Sequence, residues 1–423
     1  MASASATIPV GYKQTEVGVI PADWMVKPIG EVAEVVGGGT PSTQVPKYWG
    51  GDINWLTPTE VGSGKYVSDS NRKLTNSGLQ NSSASMLPKG TILLTSRAGI
   101  GDLGILESPA CTNQGFQSLI CSDNVDHEFL YYVMLTKRSE LERKGSGSTF
   151  LEITPSEVKS LLIALPGLKE QYMISEVLSD SDSQIHNLEK LISKKRDIKQ
   201  GTMQELLTGK TRLPGFSDEW IKTTLGDVCS SITDGTHYTP KYVEFGIPFY
   251  SVENVTQNNF DDTKYISQKE HNQLTRRCKP ERGDILLTRI GSLGKTKLIN
   301  WDVDASIYVS LALLKPRHEI YSDFLYAYTQ SSQFVIDLEN RSLLNASPKK
   351  INMNEINEIP IKLPPTEKEQ YAISTIILDM EAEISALELL LEKTKAIKQG
   401  MMQQLLTGRI RLVDPNTSTE ASA

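Results

Sequence analysis

The sequence predicts an α+β protein built by duplication. Two α/β units alternate with two long helices whose seams either bury against each other, an antiparallel pairing then giving a pseudo-two-fold repeat, or pack each on its own unit. Three observations predict it. The segment Glu170 to Leu213 recurs without gaps from Glu369 to Leu412, and Ile-Lys-Gln-Gly-x-Met-Gln-x-Leu-Leu-Thr-Gly is shared almost intact (Ile198 to Gly209, Ile397 to Gly408). Weaker matches precede each copy: GTILLTSRAGIG (Gly90 to Gly101) with GDILLTRIGSLG (Gly283 to Gly294), and Phe129-Leu130-Tyr131 with Phe324-Leu325-Tyr326. Apolar residues also recur at steps of four and three through both copies, the spacing of a helix seam.

Each element follows from local chemistry. The first variable unit runs over residues 10–165 and the second over 214–363. Gly37 to Ser42 and Thr233 to Thr236 are glycine- and threonine-rich loops. Thr91 to Ser96 and Asp284 to Thr288 are short apolar strands after turns. Val125 to Leu141 and Ser322 to Leu338 read as helices. Each unit closes on Leu-Pro, at Leu165-Pro166 and Leu363-Pro364. The helical units cover 166–213 and 364–412. From Glu170 to Thr208 an unbroken helix has about 39 residues and reaches roughly 58 Å. Its seam is Ile174, Leu178, Ser181, Ile185, Leu188 and Ile192, matched by Ile373, Ile377, Met380, Ile384, Leu387 and Leu391. A second row, Leu191 and Ile198 with Leu390 and Ile397, widens the stripe. Gly209 and Gly408 read as the glycines that end each helix. Gly201 and Gly400, inside, mark a kink or a close contact. The N-terminus and residues 413–423 read as poorly ordered, and Gly145 to Ser148 as mobile.

Composition limits the function classes. The 423 residues are 39% hydrophobic and 22% charged, which excludes a mostly disordered chain and a disulfide scaffold. No apolar run reaches membrane-spanning length, and MASASATIPVGYKQ lacks the features of a secretory signal. Four scattered cysteines without C-x-x-C suggest a reducing cytoplasm rather than a zinc site. The net charge of −7 argues against a nucleic-acid protein by itself. An acidic total can still conceal a basic groove.

Catalytic motifs do not hold. Gly99 to Gly104 fits G-x-G-x-x-G, but Ile105 to Pro109 does not start a helix, and the duplicated copy loses the pattern. Gly294-Lys295-Thr296 resembles the end of a phosphate loop whose first glycine is Arg289 instead. No Asn/Asp-Pro-Pro-aromatic tetrapeptide, His-Glu-x-x-His or Gly-x-Ser-x-Gly occurs. His127, His186, His237, His271 and His318 lack metal-ligand spacing. The chain therefore reads as non-catalytic, with no metal or cofactor of its own.

The twin Leu-Pro…Glu-Gln-Tyr segments, the twin Leu-Leu-Thr-Gly runs, and Gly38-Gly39-Thr40-Pro41-Ser42 with Tyr48-Trp49-Gly50 resemble the specificity subunit of type I restriction–modification systems over nearly the whole chain. The resemblance implies that each variable unit is a target recognition domain reading one half of a split, asymmetric site in double-stranded DNA. It implies that the helices form an antiparallel coiled coil that spaces the two domains and docks two modification subunits, which hold S-adenosylmethionine and methylate adenine. Restriction subunits join to cleave. An alternative is a scaffold that binds protein partners without DNA specificity, and another is a self-contained enzyme with a disguised site.

Residues in loops of the types that read bases are Thr40, Ser42, Thr57, Thr59, Lys65, Ser96, Arg97, Asn113, Gln114 and Lys144 in the first unit. In the second they are Thr236, His237, Lys241, Glu253, Asn254, Arg289, Ser292, Lys295 and Arg341. Arg97 and Arg289 lead because both follow the same strand of the duplication. The alternative for each is a loop cap or an ion pair. Lys194-Lys195-Arg196 reads as a solvated helix face or a docking site for an acidic surface.

Overall fold

A computed structural model describes residues 8–97, 99–145, 152–343 and 345–413. Ser146 to Ser148 of the glycine–serine run, Ala98 and the outermost tails therefore lie outside the described residues. The chain forms two compact units, Met1–Asn187 with Leu391–Ala423, and Leu188–Leu390. The division falls within the two long helices rather than at their starts.

In the first unit, strand Met25–Pro28 pairs antiparallel with Leu162–Leu165, tying the start of the variable region to its end. A five-stranded sheet runs in the order Ala33–Gly37, Gln117–Cys121, Ile92–Leu94, Leu103–Leu106, Tyr66–Val67. A three-stranded sheet holds Cys111–Thr112, Trp49–Leu56 and Arg72–Leu74. The second unit repeats this plan. One sheet orders Cys229–Asp234, Leu311–Pro316, Ile285–Thr288, Thr296–Leu298, and the other Tyr242–Val243, Lys264–Ile266, Ile247–Tyr250, Ser306–Ile307. The central pairings correspond, Leu119 with Ile92 and Leu314 with Ile285.

Each helix expected in a variable unit is two. His127–Thr136 and Arg138–Lys144 replace a single helix, and Ser322–Thr329 and Ser332–Asn340 replace the other. The second break has a clear cause: the Ser331 hydroxyl accepts from the Phe334 amide at 3.2 Å and restarts the helix.

The long helices, Leu168–Leu206 and Glu367–Leu405, have 39 residues each. Within the first unit Ile174 and Leu178 share a core with Leu405 and Leu406. Within the second, Met203 and Leu206 share one with Ile373 and Ile377. The two helices run antiparallel in each unit. In the first, Asp182 pairs with Lys398 and Glu170 with Arg411. In the second, Lys199 pairs with Glu381 at 3.1 Å, Lys195 with Glu383 at 2.7 Å and Arg212 with Glu369 at 2.8 Å. Lys195 and Arg196 thus face acids of the second helix, Glu383 and Glu388, and not a solvated surface alone.

Of the expected seam, Ile174, Leu178, Ile192, Ile373, Ile377 and Ile384 are buried, while Ile185, Leu188, Leu387 and Leu391 are half-buried. The second row is exposed: Leu191, Ile198, Leu390 and Ile397 flank the contact because a two-helix pair covers only a narrow stripe. Gly201 and Gly400 neither break the helices nor meet a neighbour, since a Cβ there would find nothing within 4 Å. Gly209 and Gly408 have φ of 70° and 66°, as the terminating glycines should.

The repeated Glu-Gln-Tyr motif becomes intelligible here. Glu170 accepts from Trp24 Nε1 at 3.0 Å, and Glu369 accepts from Trp220 Nε1 at 3.3 Å. Gln171 accepts from the Asp126 amide and donates to the Pro166 carbonyl, both at 2.9 Å. Gln370 does the same with Tyr321 and Pro364. Each pair therefore staples a variable region to a long helix through buried polar groups that cannot be left unpaired. No helix among the described residues is long and apolar enough to cross a membrane.

Candidate nucleic-acid interface

The sheets of each unit end in four loops on one side. In the first unit these loops follow Gly37, Leu56 and Leu94, and precede Gln117. The Gly39 amide donates to the Thr112 carbonyl (2.8 Å), Asn113 N to Leu56 O (3.0 Å) and Ser96 N to Gly115 O (2.7 Å). In the second unit Tyr308 N donates to Tyr250 O and Arg289 N to Ser310 O, both at 2.9 Å. Glycine is required where the loops cross. A Cβ on Gly38 would lie 1.9 Å from the Asn113 carbonyl oxygen, and one on Gly235 would lie 2.1 Å from that of Ile307. Loops so braced present side chains from fixed backbones.

Most first-unit candidates meet at this end. Thr40 donates to Gln114 Oε1 at 2.5 Å, and both are exposed. Ser42 is exposed, and its carbonyl accepts from Trp49 Nε1 at 3.3 Å. Thr57 and its amide hold Glu60 in a capping box, with Thr59 Oγ1 at 3.1 Å from Thr57 Oγ1. Asn113 accepts from the Gly115 amide at 2.8 Å. Two residues are elsewhere. Lys65 points to the long helix, donating to Tyr132 Oη (2.9 Å) and Ser179 Oγ (2.8 Å) and pairing with Glu128. Lys144 ends the helix Arg138–Lys144.

In the second unit His237, Lys241, Glu253, Ser292 and Lys295 are exposed. Thr236 and Asn254 are buried and serve the fold: Thr236 Oγ1 accepts from the Tyr238 amide at 3.4 Å, and Asn254 accepts from the Ser251 amide at 2.9 Å. Arg341 pairs with Glu355 at 3.3 Å.

Arg97 and Arg289 do not occupy equivalent positions. The Ser96 and Arg289 amides make matching bonds, so Arg289 stands where the first unit has Ser96. Arg97 instead corresponds to Ile290: Arg97 bridges to Glu152 and Ile290 to Lys350. One step along an extended chain turns a side chain to the opposite face. Arg97 is consequently half-exposed and pairs with Glu152 at 2.7 Å. Arg289 is buried and gives its protons to Asp234, Val309 O and Ile351 O. Burial pushes the Arg289 guanidinium below its ordinary pKa, against the opposing pull of Asp234. Around the Ser96 position the Ser96 and Ser118 hydroxyls and Gln117 Oε1 are buried, and none has a hydrogen-bond partner among the described residues.

Sequence reasoning missed Asp234 and Arg277. Asp234 lies at a strand end, and Arg277 lies far from the loops in the chain, within Arg276-Arg277-Cys278-Lys279, a short basic run that was its only signal. The cysteines are free thiols held in apolar surroundings. Burial pushes Cys111 up to about 11 and Cys229 up to about 12, so neither is poised as a nucleophile. Among the described residues no group of three or more His, Cys, Asp and Glu could hold a metal ion.

Comparison with known proteins bears on this architecture. The family model of the type I restriction modification DNA specificity domain matches residues 21–195 and 217–398. The MjaIX type I specificity subunit of Methanocaldococcus jannaschii is 44% identical over 183 residues, 42% of this chain and 42% of that protein. The match thus spans less than half the length of that relative. The MjaVIII specificity subunit of the same organism is 25% identical over 94% of this chain and 95% of its own. The fold is shared with a crystal structure of the type I system S subunit of M. genitalium, at TM-score 0.62, 18% identity, and 90% and 96% of the two chains.

Proposed function

The chain belongs to the family of the type I restriction modification DNA specificity domain, and on that premise we propose that it is the DNA-specificity subunit of a type I restriction–modification complex. Each recognition domain reads one half of a bipartite, asymmetric site. The observation that carries this is the recurrence, in both family-matched regions, of the same braced four-loop end bearing different exposed side chains. A shared scaffold with unlike tips is what two readers of unlike half-sites need, because sequence is read by side chains at base edges while the backbone only positions them.

Thr40, Ser42, Thr59, Arg97 and Gln114 are the first unit's base-reading candidates, and His237, Lys241, Glu253, Ser292 and Lys295 the second's. Ser96, Thr236, Asn254 and Arg289 hold the loops that carry them. The long helices act as an antiparallel coiled coil with pseudo-two-fold character that sets half-site spacing. They also dock two modification subunits. Catalysis, S-adenosylmethionine and DNA cleavage belong to the modification and restriction subunits, and this chain contributes specificity. Phosphate contacts made by those partners offset its acidic total.

The test is co-expression with the cognate methyltransferase subunit and mapping of methylated adenines in host DNA. Methylation at one split motif is expected. A stable complex without a motif would favour a scaffold that lacks DNA specificity, and methylation by this chain alone would overturn the non-catalytic assignment.

A further inference from the structure

The second unit carries at its loop end a charge arrangement that the first lacks. The Asp234 side chain, 4% exposed, faces three nitrogen groups: Arg289 Nη1 at 3.2 Å, His237 Nε2 at 2.9 Å and Arg277. Arg289 is consumed by the interior, as described above. Arg277 is not. Its side chain is 58% exposed, and besides Asp234 its one protein acceptor among the described hydrogen bonds is the Gly235 carbonyl at 3.4 Å. A guanidinium has five donors, so Arg277 retains donors at the mouth of a cleft of about 290 Å³ lined by Thr236, His237, Tyr238 and Gln273.

The charge count gives this cleft a sign. Two guanidinium groups share one carboxylate, leaving one positive charge uncompensated. Arg276 beside it is exposed and of the same sign. The next acid along the chain, Glu281, is engaged by Lys315 at 2.9 Å. A partly enclosed surplus of positive charge attracts an anion more strongly than a charge in open solvent. A guanidinium already held by a carboxylate also loses little freedom on binding one.

We propose that Arg277 grips a phosphodiester oxygen of the DNA backbone beside the second unit's loops, and that Asp234 locks this contact to His237. The inference rests on the DNA-reading function and adds a site to it. Arg277 arises after the helix Gln268–Leu274 and not from the four loops, so it grips the backbone while loop residues face the bases. Asp234 joins the two roles: the carboxylate that orients Arg277 also orients His237. The first unit has Gly37 at the position of Asp234 and Ser96 at that of Arg289, so the device is peculiar to one half-site.

The test uses the full chain in complex with its modification subunits, and two duplexes, one carrying the mapped methylation motif and one scrambled. Arg277→Gln changes a side chain that is 58% exposed and leaves Asp234 paired with Arg289 and His237. It should weaken binding to both duplexes alike, on the order of five- to tenfold at 0.1 M salt, and lower the slope of log affinity against log salt by about one. Arg277→Lys should restore most of that slope, and the methylation motif should not change. An unchanged slope for Arg277→Gln overturns the proposal. So does a changed base in the motif, which would make Arg277 a base reader. If the wild-type complex itself does not distinguish the duplexes, the DNA-reading function fails, and this proposal with it.

Discussion

Glu170 and Arg411, 241 residues apart in the chain, share two hydrogen bonds of 2.7 and 2.9 Å. Glu369 and Arg212 make the same pair at 2.8 Å in the other unit. In each case the acid opens one copy of the repeat and the arginine closes the other copy. The duplicated sequence is thus used crosswise: neither copy completes its own unit. Each acid is nearly inaccessible and also accepts from a tryptophan, so truncation strands buried donors.

Glu170→Ala should therefore destabilise the first unit by roughly 3 kcal/mol, the cost of breaking a buried pair from one side, and Glu369→Ala the second by a similar amount. Hydrogen exchange resolved by segment checks this. Glu170→Ala should deprotect Tyr12 to Leu178 and spare Ile221 to Leu363, with the reverse for Glu369→Ala. Equal loss in both regions from either variant contradicts separate units.

The crossing glycines should be intolerant in a unit-specific way. Gly38→Ala places a methyl against the Asn113 carbonyl, and Gly235→Ala against that of Ile307. Overpacking of this kind costs about 1–3 kcal/mol and displaces the loops. Methylome mapping should show one half of the motif degraded by Gly38→Ala and the other by Gly235→Ala. Full retention of both halves would show that the four-loop ends are not the readers.

Exchange of the whole first recognition region, residues 10 to 161, for that of a related protein should change one half-site and leave the other as it was. Alteration of both halves together would refute independent readers.

The helix pair can be loosened at one place. Ile384 is buried and Leu387 half-buried in the seam, so Ile384→Asp with Leu387→Asp puts unpaired charge there and should cost roughly 3 kcal/mol. Recruitment of modification subunits, followed by size-exclusion chromatography, should fail before the recognition regions unfold. Intact assembly and methylation would count against the helices as spacer and dock.

The acid limb of stability should depend on Asp23. Burial raises its carboxyl pKa, but the hydrogen bond and charge of Arg411 outweigh this and hold it below the ordinary range. A pKa depressed on folding gives stability that is present above the unfolded value, about 3.9, and lost as pH falls through the folded value. Wild type should exceed Asp23→Asn by under about 1 kcal/mol at pH 6, since the carboxyl is half exposed. By pH 2.5, below the unfolded value, that gap should have narrowed. A constant gap in urea midpoints at both pH values would remove the ion pair as its source.

The sequence by itself determined the duplication and the two long helices, because a helix seam is periodic and local and survives in one dimension. It also determined where the loops lie, since glycine-rich turns after apolar strands are local chemistry. Tertiary structure alone decided what those loops are made of. Arg97 and Arg289 follow the same strand of the duplication one position apart, and that step turns one outward and buries the other beside Asp234. Lys65, a plausible reader by residue type, is drawn to Tyr132 and Ser179, and Arg277, remote in the chain, arrives beside His237. Side-chain chemistry can be read from a residue's identity, but exposure and partnership are set by contacts between distant segments.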